Sequence, residues 1–451
     1  MSRPALLCIS QSFSPATTPT AIRASALLQR LAAEWDVTVL TETAQPPTVG
    51  GPMRVEVVAG RRPRRLLAAL RRLRLSKLIE LLVWPDDSIF WVLAAIRAGR
   101  RLARERRPQA IVVFMMPYSA GLAGLALRRL TRLPLILNLD DSPTCSDMHP
   151  EFPSALHHRL ARALEDRYAR AADTTVYVSQ TNLEAVRARQ PQDVQERIRL
   201  VRYGADAARF GPGQPGADGF EIAYVGAMSG WWALIGQDAP ASALKRAYDA
   251  WTRLGRHELI ALDPSTSSPA AIGRAMLAAI AEHPEWAGRL RLVLYGNPYP
   301  QDVVERALAA AGVHEVVSVL GPAPHEQVPG MLARADLLFI TLPRRPDGSR
   351  GGRISAKTYE YLMTDRPILA AVPRGENWDY LEGKPGVWLV APDDEQAMKD
   401  VVSELAQAKA GGFPRAFDRS GLREELSYDT RAREFEAAIR AGIARHAHAR
   451  A

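Results

Sequence analysis

Short apolar runs alternate with longer amphipathic stretches along almost the whole chain, and that rhythm limits what it can fold into. Ala5–Ser10, Asp36–Thr41, Ala110–Met115, Leu133–Leu139, Thr174–Ser179 and Arg197–Tyr203 are strand-like, rich in Val, Ile, Leu and Thr. Helical spacing falls between them, over Pro19–Ala33 and Ala155–Ala171 among others. Buried strands separated by amphipathic helices build βαβ units and a parallel sheet. The Gly- and Pro-rich stretch Ala208–Gly219 interrupts the pattern and reads as a linker. The alternation then restarts with Glu221–Gly226, Arg289–Gly296, Glu315–Gly321, Ala335–Leu342, Arg366–Val372 and Gly386–Val390. A less regular insertion lies between Gly226 and Arg289, and a last helix covers about Thr430–His446. At 451 residues the chain is too long for one ordinary core. Two similar α/β domains facing a cleft are expected, with ligands at the carboxyl ends of the strands.

The charge is unevenly placed. The chain carries +9, yet the stretch from Arg61 to Arg107 holds fourteen Arg and Lys against four acids and accounts for +10. It reads as two helices parted by Trp84–Asp87, with Leu66, Leu67, Leu70, Leu73, Leu78, Leu81 and Leu82 at helical spacing between arginines. Such a basic amphipathic segment suits an anionic membrane surface; the competing reading is a surface helix whose leucines face its own core. No recognition motif or stacking aromatics accompany the arginines, so nucleic acid is not expected as a partner.

Two cysteines, Cys8 and Cys145, exclude a disulfide framework and fit a reducing, cytoplasmic setting. The N-terminal apolar run is too short for a signal peptide. Ala110–Leu127 is uncharged and as long as a membrane span, but Pro117, Ser119 and Gly121 divide it into a strand and a helix.

The richest site candidate is Asp347–Pro373. Gly348, Gly351 and Gly352 permit close backbone approach before a helix expected to begin near Arg353 or Ile354. Unpaired N–H groups there, with Arg350, Arg353 and Lys357, suit a phosphate. Arg353, Lys357 and Glu360 then share one helix face, where Glu360 suits ribose hydroxyls; ordinary surface ion pairs are the competing reading. Asn138, Asp140 and Asp141 end a strand and suit either sugar hydroxyls and base catalysis or a turn. Ser12 and Thr17–Thr20 form a polar loop after the first strand. His325 opens a helix at a strand's carboxyl end, in a capping or a ligand role. His149, His157 and His158 read as solvent-exposed, and Trp231 and Trp232 as packing residues or a lid. No His or third carboxylate accompanies Asp140 and Asp141 at ligand spacing, so no metal is expected. Neither G-x-G-x-x-G after the first strand nor G-x-x-x-x-G-K-[ST] occurs, which removes support for NAD hydride transfer and P-loop hydrolysis.

The run from Arg353 through Lys357, Glu360 and Pro367 resembles the K-x-x-E-Y-L/M…R-P-I-L signature of GT-B glycosyltransferases, closest to the retaining family-4 type of bacterial polysaccharide and glycoconjugate assembly. Ser12–Arg23, Trp35–Thr41, Val178–Ser179, Arg202–Phe210 and Val390–Asp394 resemble further elements in the family's order. The resemblance implies a GT-B fold: α/β, two Rossmann-like domains facing a cleft. Residues 1–212 would bind the acceptor and 218–428 the nucleotide-sugar, with 430–451 packing back on the first domain. It implies a UDP- or GDP-sugar donor, a saccharide or lipid-linked acceptor, retention, and no metal or other cofactor. Donor contacts would involve Gly226, His325, Arg350, Gly351, Gly352, Arg353, Lys357 and Glu360, with sugar contacts from the N–H groups of Gly351 and Gly352. Acceptor contacts would come from Ser12, Thr17 and Thr18, and Asp140 and Asp141 are the side-chain candidates for catalysis. Two departures stand out: Gly352 occupies the place of the family's first Glu, and Gly226–Gly230 lacks its usual phosphate pair. They keep open a non-catalytic nucleotide-sugar-binding relative and, within the same fold, a nucleotide-sugar epimerase.

Overall fold

The computed structural model describes residues 3–13, 18–42, 53–147, 151–216, 218–226, 228, 231, 242–296, 299–321, 324–412 and 415–450. The chain forms two compact units. One holds Met1–Gly204, Ser242–Leu259 and Tyr428–Ala451; the other holds Ala205–Ala241 and Ile260–Ser427.

The first unit is built on seven parallel strands: β1 (Ala5–Ser10), β2 (Asp36–Thr41), β3 (Arg54–Val57), β4 (Ala110–Phe114), β5 (Leu135–Leu139), β6 (Thr174–Tyr177) and β7 (Ile198–Leu200), in the order β3-β2-β1-β4-β5-β6-β7. β4 and β5 are buried along their whole length, as strands covered on both faces must be. β3 went unanticipated: it is four residues of RVEV at the sheet edge, half exposed, with no apolar run to announce it. The uncharged stretch beginning at Ala110 divides into β4 and the helix Ala120–Thr131, and no helix among the described residues is long and apolar enough to cross a membrane. The C-terminal helix Tyr428–His448 belongs to this unit. Its fully buried Phe435 meets Phe114 at 5.8 Å, and Glu436 accepts the Trp35 indole N–H at 3.0 Å.

The basic segment forms three helices where two were expected: Arg64–Arg72, Ser76–Leu82 and Ile89–Arg106. The extra break is a Schellman turn at Arg74, whose φ is +57°. Leu75 N–H reaches back to Leu70 at 2.9 Å and Arg74 N–H to Arg71 at 3.0 Å. Glycine ordinarily marks such a turn, and here arginine holds it.

The second unit has six parallel strands: β8 (Phe220–Val225), β9 (Leu290–Tyr295), β10 (Val317–Leu320), β11 (Leu337–Thr341), β12 (Ile368–Ala371) and β13 (Val387–Val390), in the order β10-β9-β8-β11-β12-β13. The winding reverses between β8 and β11, so the carboxyl end of β8 is a topological switch point. The units divide earlier than the Gly/Pro-rich stretch suggests, because Ala205 already bridges to Ser427 and Gly213 N–H bonds to Asp365 at 3.0 Å. The insertion is also shared: its helix Ala243–Arg253 groups with the first unit, whereas Trp231 is buried in the core of the second. Trp231 is thus a packing residue; Trp232 and His149 lie outside the described residues.

Candidate functional site

Gly226 follows β8 directly, and its φ of +130° suits glycine. A Cβ there would lie 2.5 Å from Lys357 Cε and 2.7 Å from its Nζ, so the missing side chain is what lets the ammonium reach the switch-point strand. Lys357 Nζ also sits over the Tyr224 ring, 5.0 Å from its centroid, a cation–π contact that fixes the stem. The supporting helix is Ala356–Leu362, later and shorter than expected. Ser355 is its N-cap residue but makes no side-chain cap bond. Instead Asn377 Oδ1, buried on the next helix, accepts from Ser355 N–H at 3.3 Å and from Thr358 Oγ1 at 2.8 Å. Below, the buried Tyr361 hydroxyl accepts Val225 N–H at 2.9 Å, and burial pushes that phenol's pKa up. This bond ties the helix to β8.

Glu360 follows Lys357 by three positions, on the same helix face. Its Oε1 lies 3.1 Å from His325 Nε2, and His325 Nδ1 lies 3.0 Å from Arg209 Nη1. A guanidinium can only donate, so Nδ1 accepts, the imidazole proton sits on Nε2, and it is given to Glu360. A second Arg209 nitrogen donates to the His325 carbonyl at 2.5 Å. Arg209 was not among the expected site residues, although it lies inside the Arg202–Phe210 element quoted for the resemblance.

The other donor candidates scatter. Arg353 precedes the helix, so it does not share the face of Lys357 and Glu360. Arg350 is exposed and ion-paired with Asp379. Gly351 is committed: its N–H bonds to Arg374 at 3.0 Å and its carbonyl accepts Glu376 N–H at 3.0 Å. The approach of these backbones requires Gly375, where φ is +153° and a Cβ would lie 2.3 Å from the Gly351 oxygen. The N–H expected to meet a sugar at Gly351 is therefore spent on the fold, and Gly352 beside it is buried.

In the first unit Asp140 sits in a buried ion pair with Arg23. Its side chain is 3% exposed, and Oδ1 accepts from Arg23 at 3.3 Å and from Asn138 Nδ2 at 3.2 Å, while Oδ2 accepts the Tyr203 hydroxyl at 2.8 Å. Arg23 is equally buried and also bonds Asn138 Oδ1 at 2.7 Å and the Val201 carbonyl at 2.8 Å. Burial, then the Asp140 charge, raises the Tyr203 pKa. A proton taken by Asp140 would strand the Arg23 charge, so the pair ties β5 to the helix Pro19–Leu31. Asp141 accepts the Ser146 hydroxyl at 2.7 Å and closes a turn. Thr18 is the N-cap of Pro19–Leu31, accepting Ala21 N–H at 3.4 Å, and its hydroxyl lies 3.5 Å from that of Ser12. Thr17 lies outside the described residues. His157, expected in solvent, is buried. No group of three metal-ligating side chains occurs among the described residues.

Two doubly wound parallel sheets in one chain, with Lys357 and the His325–Glu360 pair around the end of one switch-point strand, define a class: the GT-B fold. The chain belongs to the GT-B glycosyltransferases. Residues 20–204 match the family described as glycosyl transferase 4-like domain, and residues 272–408 match glycosyl transferases group 1. No curated protein sequence matches. Among solved structures, trehalose 6-phosphate synthase from Burkholderia multivorans is 16% identical, with a TM-score of 0.61 over 100% of this chain and 99% of that one. HepE of Anabaena, in complex with UDP and glucose, is 15% identical, with a TM-score of 0.60 over 96% and 98%. Sucrose-phosphate synthase from Thermosynechococcus elongatus is 14% identical, with a TM-score of 0.59 over 97% and 98%.

Proposed function

We propose that this glycosyltransferase takes its sugar from a uridine or guanosine diphosphate-sugar and passes it, with retention and without a metal ion, to a saccharide or lipid-linked acceptor. The observation that carries the reading is the pairing of Lys357 at Gly226 with Glu360 held by His325. The ammonium, at the carboxyl end of the switch-point strand, stabilises negative charge as the diphosphate leaves. Glu360 keeps lone pairs for ribose hydroxyls on the face it shares with Lys357. HepE binds UDP and glucose on a similar fold, which supports a uridine donor first. In the reaction the bond from the anomeric carbon to the diphosphate oxygen breaks and a bond to the acceptor oxygen forms on the same face. The acceptor proton passes to the departing phosphate oxygen, so no side-chain base is needed, consistent with Asp140 being locked in its ion pair.

A lipid-linked saccharide as acceptor accounts for the basic stretch 61–107 and places the protein at the cytoplasmic face of a membrane, in polysaccharide or glycoconjugate assembly. Thermal unfolding with UDP, GDP, TDP and CMP tests the donor site. A rise in Tm with UDP or GDP that Glu360→Ala abolishes is expected, and no rise with any of the four overturns it. Turnover of the stabilising nucleotide's sugar on lipid-linked acceptors tests the rest.

A further inference from the structure

Thirteen large apolar side chains are exposed among the described residues, and nine of them gather in one region of the first unit. Leu66 and Leu73 lie in and just after the helix Arg64–Arg72, and Leu78 and Leu82 in Ser76–Leu82; Leu73 is 68% and Leu82 78% exposed. The next three come from far along the chain: Leu244, Trp251 and Leu254, in or just after the helix Ala243–Arg253. Leu156 and Leu160 add the start of Ala155–Ala171.

These pieces are fastened together by polar bonds, which leaves their leucines outward. Lys77, 6% exposed, donates to the carbonyls of Trp251 (2.9 Å) and Leu254, where a cation offsets the exposed carbonyls of a helix end. Its ammonium also lies 4.9 Å from the Trp251 ring centroid. The Tyr248 hydroxyl meets Ser76 at 3.3 Å, and Arg256 pairs with Glu80 at 3.1 Å. His157 closes the other side: its Nε2 donates to the Leu81 carbonyl at 3.1 Å. The helix Ala243–Arg253 has no buried residue at all. Leu244 and Trp251, seven apart, share its face.

We propose that these three helices and the start of Ala155–Ala171 form one composite face that docks on an anionic lipid bilayer. Contiguous exposed apolar surface rimmed by charge marks an interaction site. Around the leucines stand Arg65, Arg71, Arg72, Arg159, Arg162 and Arg253, all exposed and none in an ion pair among the described residues. A second copy meeting this face symmetrically would oppose arginine to arginine. Nucleic acid would satisfy the arginines and leave the leucines in water. A bilayer with acidic headgroups satisfies both, the aliphatic side chains entering the acyl boundary and the guanidiniums staying among the phosphates. The helix Ile89–Arg106 stands apart, since its Trp91, Ala95 and Leu102 are buried in the core. Docking therefore uses only the first part of the basic stretch, completed by residues that sequence order places elsewhere. The proposal rests on the glycosyl-transfer reading only in that a lipid-linked acceptor gives the enzyme reason to sit at a membrane.

The test is co-sedimentation of the full chain, without donor or acceptor, with vesicles of phosphatidylcholine alone and of phosphatidylcholine mixed with phosphatidylglycerol. Binding to the mixed vesicles should be stronger by about tenfold or more. The triple variant Leu244→Ser, Trp251→Ser, Leu254→Ser should lose about tenfold of it while its Tm and nucleotide response stay unchanged. Brominated lipid should quench part of the wild-type tryptophan emission, and Trp251→Phe should remove that part. Equal binding to both vesicle types overturns the proposal, as does a triple variant that binds like wild type or a soluble dimer that ignores vesicles. Vesicle binding without any nucleotide response would sink the donor reading and leave the docking face standing.

Discussion

His325 donates its Nε2 proton to Glu360 at 3.1 Å because Arg209, donating at 3.0 Å from the opposite side, leaves Nδ1 no role but acceptor. The guanidinium thereby sets the tautomer of the imidazole, and the imidazole aims the carboxylate. Removing the ring frees Glu360 to rotate without touching the nucleotide. His325→Ala is expected to weaken UDP or GDP binding about tenfold or more by titration calorimetry, the worth of one charge-assisted hydrogen bond. His325→Gln keeps an N–H donor near the same position and should recover most of that loss. Equal affinities for both variants would mean that His325 only caps its helical turn.

Gly226→Ala should act on the lysine rather than on the strand. The added methyl falls 2.5 Å from Lys357 Cε at a φ of +130°, so the side chain must leave or the backbone must move. The backbone conformation alone costs about 1–3 kcal/mol for a residue with a side chain. Transfer activity is expected to fall at least about tenfold, matching Lys357→Ala, because both displace the charge at the leaving group. The double variant should be no worse than either single one. Additive losses, measured as kcat/KM, would separate the two residues.

Asp140→Asn separates structure from catalysis. Halving the buried pair with Arg23 leaves an uncompensated guanidinium and should destabilise the protein by about 3 kcal/mol or more, read in urea unfolding. Per folded molecule, kcat should stay within about twofold, since a carboxylate bonded on both oxygens to Arg23, Asn138 and Tyr203 offers no proton acceptor to substrate. Unchanged stability with a loss of kcat by orders of magnitude would restore Asp140 as the base.

Most strands were legible because their burial is dictated by residue type: runs such as AIVVF and LILNL have no alternative to an interior. β3 was not, since RVEV at an edge is held by its neighbour rather than by its own composition. Helix ends at Arg74, Arg107 and Arg132 were hidden for a different reason: all three adopt the left-handed conformation that sequence reading assigns to glycine. Within the candidate site, Lys357 and Glu360 could be paired from their spacing, but nothing local indicated that Gly226 receives the lysine or that Arg209 reaches His325. Those contacts depend on which strand ends the topology brings together. The scatter of Arg350, Gly351 and Arg353 has the converse cause: the helix starts at Ala356, so the preceding residues follow the irregular segment that pairs with Arg374–Glu376.

Asp365 gives a stability signature in acid. Burial would raise its pKa, but the Arg366 guanidinium at 2.9 Å and the Gly213 N–H at 3.0 Å outweigh it, and the net shift is downward. A carboxylate whose folded pKa is depressed contributes stability that is full above its unfolded value, near about 3.9, and is lost as the pH falls through the folded one. Asp365→Asn removes that contribution and loosens the segment around Gly213, which the carboxylate holds in place within the second unit. Wild type should exceed the variant by about 1 kcal/mol at neutral pH, and the two should converge as the pH drops towards about 2. Urea unfolding of both proteins at neutral pH and in acid reads the difference directly. A gap that stays constant across that range would place the effect of the substitution in packing rather than in the charge.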